Sequence, residues 1–140
     1  MIAYKSRLML GACAAFALAG CETVAEEVTE AVGAEFVAML APSPGGSGSG
    51  KVEVSLNDAT NMLCTDLELN GTVAMTAGHV VAPGSRVLAD IDVPDDDDSN
   101  DCDTISDADI DAIRANPGNY RIHIAATTGD LNGTLRRDRD

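Results

Sequence analysis

The chain of 140 residues has room for one small domain with a single core, and it carries a formal net charge of −14. Only 3% of its residues are aromatic. The charge disfavours nucleic acid and anionic lipid as partners, because binding a polyanion requires cationic groups that replace its counterions. The shortage of aromatic side chains also argues against surfaces that stack bases or sugars.

Residues 1–20 have the pattern of a secretory signal. Two basic residues precede an uncharged apolar run, residues 8–19, which is shorter than the roughly 20 residues that cross a bilayer. The run leads into the sequence LAGC, which ends at Cys21 and resembles the lipobox of bacterial lipoproteins. That resemblance implies cleavage before Cys21, acylation of its thiol by chains such as palmitate, and anchoring in a membrane. In the lipoproteins that this sequence resembles, an aspartate after the cysteine favours retention in the inner membrane; here Glu22 follows, so the outer membrane is the expected destination. The alternative to the lipobox is an ordinary secretory signal with a chance cysteine.

Cleavage before Cys21 would remove two basic residues and no acidic one. The mature chain would then carry 23 acidic and 7 basic residues, a formal charge of −16. Such a charge suits cations or basic surfaces as partners, or it simply keeps the protein soluble through self-repulsion.

Residues 21–50 are expected to form a stalk after the lipid anchor. Apolar side chains recur at every fourth residue from Val24 to Leu40, with glutamates between them, which predicts an amphipathic helix. A disordered stalk is the alternative. The sequence APSPGGSGSG, residues 41–50, is typical of a flexible linker. The folded domain is therefore expected to span residues 51–140.

This domain is predicted to be all-β with one short helix. Alternating apolar residues predict strands at 51–56, 63–69, 72–75, 86–93 and 120–125. The side chains expected to share the inner faces are Leu63, Thr65, Leu67, Leu69, Val87, Ala89, Ile91, Val93, Tyr120, Ile122 and Ile124. The helix is predicted from Asp107 to Ala115, with Ser106 as its N-cap and the sequence Asn-Pro-Gly at its end.

Residues 90–111 contain eleven aspartates and no basic residue. Asp96, Asp98, Asn100 and Asp107 have the spacing of oxygen ligands in a calcium loop. The glycine that turns an EF-hand loop is missing, and no helix precedes the stretch, so this is not an EF-hand. A solvating, disordered loop is the favoured interpretation, with weak calcium binding as the alternative.

Two cysteines remain for pairing, because Cys13 leaves with the signal and Cys21 is acylated. Cys64 lies on a predicted strand and Cys102 lies just before the predicted helix. Cysteines in an oxidising compartment outside the cytoplasm are expected to pair. A Cys64–Cys102 disulfide is therefore predicted, and it would also restrain the acidic loop. The alternative is a pair of free thiols, one of them buried as a small apolar residue.

The sequences IRANPGNY, residues 113–120, and NGTLR, residues 132–136, resemble the end of CHRD domains, which are named from chordin and also occur in secreted microbial proteins. AGHVV, residues 77–81, and SRVLAD, residues 85–90, occupy the places of earlier family segments. The resemblance covers roughly residues 51–137. It implies an all-β fold similar to an immunoglobulin-like sandwich or barrel.

CHRD domains usually supply three histidines that could hold a transition metal. Here His79 occupies the first of those positions, but Val81 and Ala125 replace the other two. His123 stands on a predicted outer face and is interpreted as a solvated strand residue, whereas His79 is interpreted as a hydrogen-bonded rim or core residue. A catalytic zinc site needs three protein ligands, so no metal cofactor is expected beyond weakly bound calcium.

The sequence thus favours a lipid-anchored protein of the bacterial cell envelope whose CHRD-like domain is a non-catalytic binding or structural module. No serine has the surroundings of an activated nucleophile, so we do not expect an enzyme. The expected partners are the membrane, through the lipid anchor, and an envelope protein or other envelope component, but not nucleic acid. Two alternatives stay open, namely a metal-dependent enzyme of the redox type and a calcium-responsive adhesion module.

Overall fold

The computed structural model describes residues 35–94 and 98–139. Ala34–Asp140 form one compact unit. The predicted signal, the acylation site Cys21, most of the predicted stalk and the calcium candidate Asp96 lie outside the described residues.

Within the described residues, nine antiparallel strands form one sheet, which confirms the predicted all-β class with a single short helix. In chain order the strands are β1 (Phe36–Pro42), β2 (Ser49–Asn57), β3 (Met62–Asn70), β4 (Met75–Ala82), β5 (Arg86–Ile91), β6 (Asp98–Thr104), β7 (Arg121–Ala126), β8 (Leu131–Thr134) and β9 (Arg136–Arg137). Across the sheet the order is β5-β4-β7-β8-β1-β2-β3-β6, and β9 also pairs with β1.

The sheet curls into a nearly closed barrel, so that its two edge strands, β5 and β6, come together at a seam. At this seam the backbone N–H of Asp90 donates a hydrogen bond to a carboxylate oxygen of Asp103 at 2.7 Å. A side-chain acceptor thus takes the place of a strand partner. Of the two architectures predicted, sandwich or barrel, the chain adopts the barrel.

Alternate side chains of the strands fill the interior of the barrel. The predicted inner faces of β3 and β7 are confirmed, because all their expected members are buried: Leu63, Thr65, Leu67, Leu69, Tyr120, Ile122 and Ile124. Thr65 is the one polar residue among them, and its hydroxyl donates to the carbonyl oxygen of Asp101 at 3.4 Å. Burying a large apolar side chain contributes about 1.5–3 kcal/mol, so this interior is the main source of stability.

On β5 the predicted inner face is only half right. Ala89 and Ile91 are buried, but Val87 is 53% exposed and Val93 is 49% exposed. Two consecutive residues of β4 pair with Ala89 and Val87, so Leu88 is an extra residue that forms a β-bulge. The extra residue shifts the alternation of inward and outward side chains by one position between Ala89 and Val87, and Val87 therefore faces outward. Val93 lies beyond the end of the strand at Ile91.

The predicted N-terminal helix is wrong at its C-terminal end, where residues 36–42 form β1 in the interior of the sheet order. A spacing of four residues, which suggested a helix, also keeps side chains on one face of a strand, because four is a multiple of the two-residue strand period. Phe36 and Leu40 accordingly face the core from β1.

The predicted linker is also wrong, because Ser49 and Gly50 begin β2 and the preceding residues form a turn from β1. Glycine is needed here by close packing. A Cβ at Gly50 would lie 2.8 Å from the carbonyl oxygen of Glu68, and Gly48 has a φ of 89°. The compact unit therefore begins at Ala34, not at residue 51.

Residues 98–104 of the acidic stretch form a strand and not the predicted disordered loop. Every residue of β6, Asp98–Thr104, pairs with β3. Aspartate has a low intrinsic preference for strands. Pairing with β3 and the covalent link between the two strands override that preference, and neither is visible in the local sequence.

The helix α1 (Asp107–Ala115) begins and ends where the sequence predicts. The hydroxyl oxygen of Ser106 accepts a hydrogen bond from the backbone N–H of Asp109 at 3.1 Å, which caps the first turn. In the last turn, the guanidinium of Arg114 donates to Asp58 at 2.7 Å and to Glu35 at 3.0 Å. These ion pairs fix the helix to the barrel.

Candidate functional site

Four polar side chains stand in one row across the outer face of the barrel. His79 on β4 is directly opposite His123 on β7. On its other side, His79 is directly opposite Asp90 of β5, and His123 is directly opposite Asn132 of β8. We call these four residues the histidine row. Both of the chain's histidines therefore lie side by side, although 44 residues separate them in the sequence.

Each histidine of the row is hydrogen-bonded to a carboxylate. The Nδ1 atom of His79 lies 2.9 Å from Oδ1 of Asp90, and the Nε2 atom of His123 lies 3.0 Å from Oδ2 of Asp130. The hydrogen bond from His123, followed by that from the backbone N–H of Ala126, holds the pKa of Asp130 below its usual range. Asp130 is thus an anion that accepts a hydrogen bond from the ring N–H of His123.

The other nitrogen of each ring is free for a ligand. Among the described residues, nothing hydrogen-bonds to Nε2 of His79 or to Nδ1 of His123. In a neutral imidazole that donates from one nitrogen, the second nitrogen carries a lone pair. The two imidazole side chains are 32% and 34% exposed, so small solutes can reach them.

The predicted outward direction of His123 is confirmed. His79 is hydrogen-bonded, as predicted, but it lies within β4 on the outer face of the barrel and not in the core. The juxtaposition of the two was not predicted. The resemblance to CHRD domains pointed instead to positions 79, 81 and 125, of which Val81 is buried. Only the pairing register of β4 with β7 brings His79 to His123.

The predicted disulfide is confirmed. Cys64 on β3 and Cys102 on β6 are directly opposed in the register, with 4.0 Å between their Cα atoms and 2.06 Å between their sulfurs. Their chain neighbours Leu63 and Thr65 are buried, so the bond lies on the outer face of the barrel. It joins the edge strand β6 to the body of the sheet.

Of the calcium candidates, Asp98, Asn100 and Asp107 lie within the described residues. Asp98 and Asn100 lie on the extended strand β6, whereas Asp107 opens helix α1 after the strand has ended. At about 3.3 Å per residue, β6 separates the backbone of Asp98 from that of Thr104 by roughly 20 Å, so the strand carries the first candidate away from the start of the helix. In the described part of the chain, no group of three or more His, Cys, Asp or Glu side chains is placed to hold a metal ion.

A basic hollow lies at the C-terminal end of the barrel, in contrast to the acidic chain as a whole. Its volume is about 390 Å³, and it is lined by Pro117, Gly118, Leu135, Arg136, Arg137 and Arg139. The side chain of Arg137 lies over the ring of Phe36 at 5.6 Å from the centroid and donates to the carbonyl oxygen of Arg114. The cluster of arginines after Leu135 was the sequence signal for this hollow, whose charge suits an anionic group.

No helix within residues 35–94 and 98–139 has the length and apolar character to cross a membrane. No family model matches the chain, and no curated protein or solved structure is significantly similar to it.

Proposed function

We propose that this protein is a lipid-anchored component of the bacterial cell envelope, delivered to the outer membrane, whose CHRD-like barrel is a non-catalytic binding or structural module. The barrel would stand on the lipidated segment that begins at Cys21. Its partners would be an envelope protein or another envelope component, and not nucleic acid.

The observation that carries this proposal is the Cys64–Cys102 disulfide. Disulfides persist in compartments outside the reducing cytoplasm, so the bond supports export of the domain. The LAGC sequence supports the form of that export, because a cysteine immediately after an apolar signal is the acceptor of lipid.

The module interpretation rests on the character of the outer surface. The side chains of the histidine row are partly open to water, and both histidines are occupied by carboxylate partners. Burial away from water shifts the pKa values of catalytic acids and bases, whereas binding surfaces are exposed to solvent. The basic hollow near Arg136 gives an acidic protein one local surface for an anionic group of a partner.

The test of the anchor is Cys21→Ser, with Cys13→Ser as the matched control, since it removes a thiol from the predicted signal without touching the lipobox. The parent and Cys13→Ser are expected to sediment with membranes in detergent-free buffer, and Cys21→Ser to be released. Mass spectrometry should find acyl chains on the N-terminal peptide of the parent. If Cys21→Ser still sediments with membranes, the anchor proposal is wrong.

A further inference from the structure

We propose that His79 and His123 bind a divalent transition-metal ion, of the zinc, copper or nickel class, reversibly on the outer face of the barrel. The ligand atoms would be Nε2 of His79 and Nδ1 of His123, with water in the remaining positions. This inference concerns the barrel alone and does not depend on the proposed anchor.

The register of β4 with β7 sets the distance between the two histidines. Directly opposed residues of antiparallel strands have Cβ atoms about 4.5–5.5 Å apart, and His79 and His123 are such a pair. Two imidazole nitrogens bound to one zinc ion at about 2.0–2.1 Å lie roughly 3.3 Å from each other in a tetrahedral site. The proposal therefore requires that the two rings, which leave neighbouring strands side by side, turn their free nitrogens toward a common ion.

Both imidazole rings have the hydrogen bonds that are typical of metal-binding histidines. Histidines that bind metal ions almost always donate their other ring N–H to a carboxylate or a carbonyl oxygen, which fixes the tautomer and raises the basicity of the ligating nitrogen. His79 has this arrangement with Asp90 and His123 has it with Asp130. Two neighbouring histidines, each orientated by its own aspartate, form the supporting part of a metal site.

The charges around the two rings and the type of ligand atom favour a transition-metal dication. Asp90 and Asp130 place two negative charges behind the rings, which offsets the charge of a dication, whereas Arg121 adds one positive charge two residues before His123. Imidazole nitrogen suits zinc, copper and nickel, and calcium and magnesium prefer oxygen. Two protein ligands hold a metal less firmly than the three or four of a zinc centre, so dialysis should empty the site.

The test is a zinc titration of the full chain in detergent, observed by NMR of the imidazole rings. Because the chain contains only two histidines, each ring has its own signal. Both signals are expected to shift together and to saturate at one zinc ion per chain, and millimolar calcium should not reverse the shift. Zinc that moves only one ring, or neither, would overturn the proposal without any variant.

Variants then test each part of the site by competition with a coloured zinc chelator. His79→Ala and His123→Ala are each expected to weaken zinc binding at least tenfold, and Asp90→Asn and Asp130→Asn about tenfold, the loss typical of removing a ligand's carboxylate partner. The control is Asp92→Asn, which removes an exposed carboxylate outside the row and should leave the affinity unchanged. If either alanine variant binds zinc as tightly as the parent, the ion is held by other acidic groups and the proposal is wrong.

Discussion

Removal of the Cys64–Cys102 disulfide by Cys64→Ala/Cys102→Ala should cost the domain a large part of its stability. The two cysteines are 38 residues apart in the sequence and directly opposed in the sheet. In the native barrel the alanines would keep the β3–β6 pairing. The main effect is therefore expected in the unfolded chain, which gains the freedom that the closed loop had denied it.

The loop length sets the size of this effect. A crosslink that closes a loop of this length is worth about 4 kcal/mol in the chain-entropy model. Domains of this size are stable by about 5–15 kcal/mol, so the double variant should retain a folded barrel with a much lower unfolding midpoint. Urea unfolding of the full chain in detergent measures this: the midpoint should fall, and the slope with urea should rise because the unfolded chain without the crosslink exposes more surface.

The parent protein treated with a thiol reductant is the control, because it carries the same broken link without a mutation. It should unfold at the same urea concentration as the double variant. Hydrogen exchange should show that amides of β6 lose protection before those of β7, since β6 is an edge strand and β7 lies between β4 and β8. A double variant within about 1 kcal/mol of the parent would refute the loop-entropy argument.

Three further outcomes are expected from the fold. Ser106→Ala should lower the unfolding free energy by about 1 kcal/mol, because it removes the cap of α1, and urea unfolding measures it. Asp109→Asn should destabilise the fold at neutral pH, because a hydrogen bond from Arg86 lowers the pKa of Asp109 and the ionised carboxylate therefore stabilises the fold above about pH 4. The difference in unfolding free energy between parent and variant should shrink when unfolding is measured at lower pH. Gly133→Ala should cost about 1–3 kcal/mol in thermal unfolding, because its Cβ would lie 2.5 Å from a carbonyl oxygen of β1, whereas Gly118→Ala, with open space around it, should be neutral.

The parts of the fold that were predicted from sequence are those specified by local chemistry. Ser106 and the Asn-Pro-Gly sequence fix the two ends of α1, and two-residue alternation identifies β2, β3 and β7. β1 was mistaken for a helix because a spacing of four fits both periods. β6 was missed because its aspartates have no strand preference of their own, and its pairing partner β3 lies far earlier in the chain.

The candidate site was predicted only in part for the same reason. The outward orientation of His123 followed from its position between Ile122 and Ile124, which face the core on the opposite parity. Its neighbourhood did not, because contact between His79 and His123 depends on the register of β4 with β7, and a bulge near Met75 shifts that register within the pair. Register is a property of two strands together, so no single stretch of sequence contains it.

The position of β1 in the sheet determines when the barrel can be completed during synthesis. β1 pairs with β2, which follows it at once, but its other edge pairs with β8 and β9, and the backbone N–H of Asp138 donates to the carbonyl oxygen of Glu35. The ribosome releases β1 long before Leu131, so this edge of β1 stays open until β8 and β9 have emerged. An open strand edge is a template for pairing with other chains. A fragment that ends before β8 should therefore associate through β1 instead of folding, so β8 and β9 protect a strand that is made about 90 residues earlier.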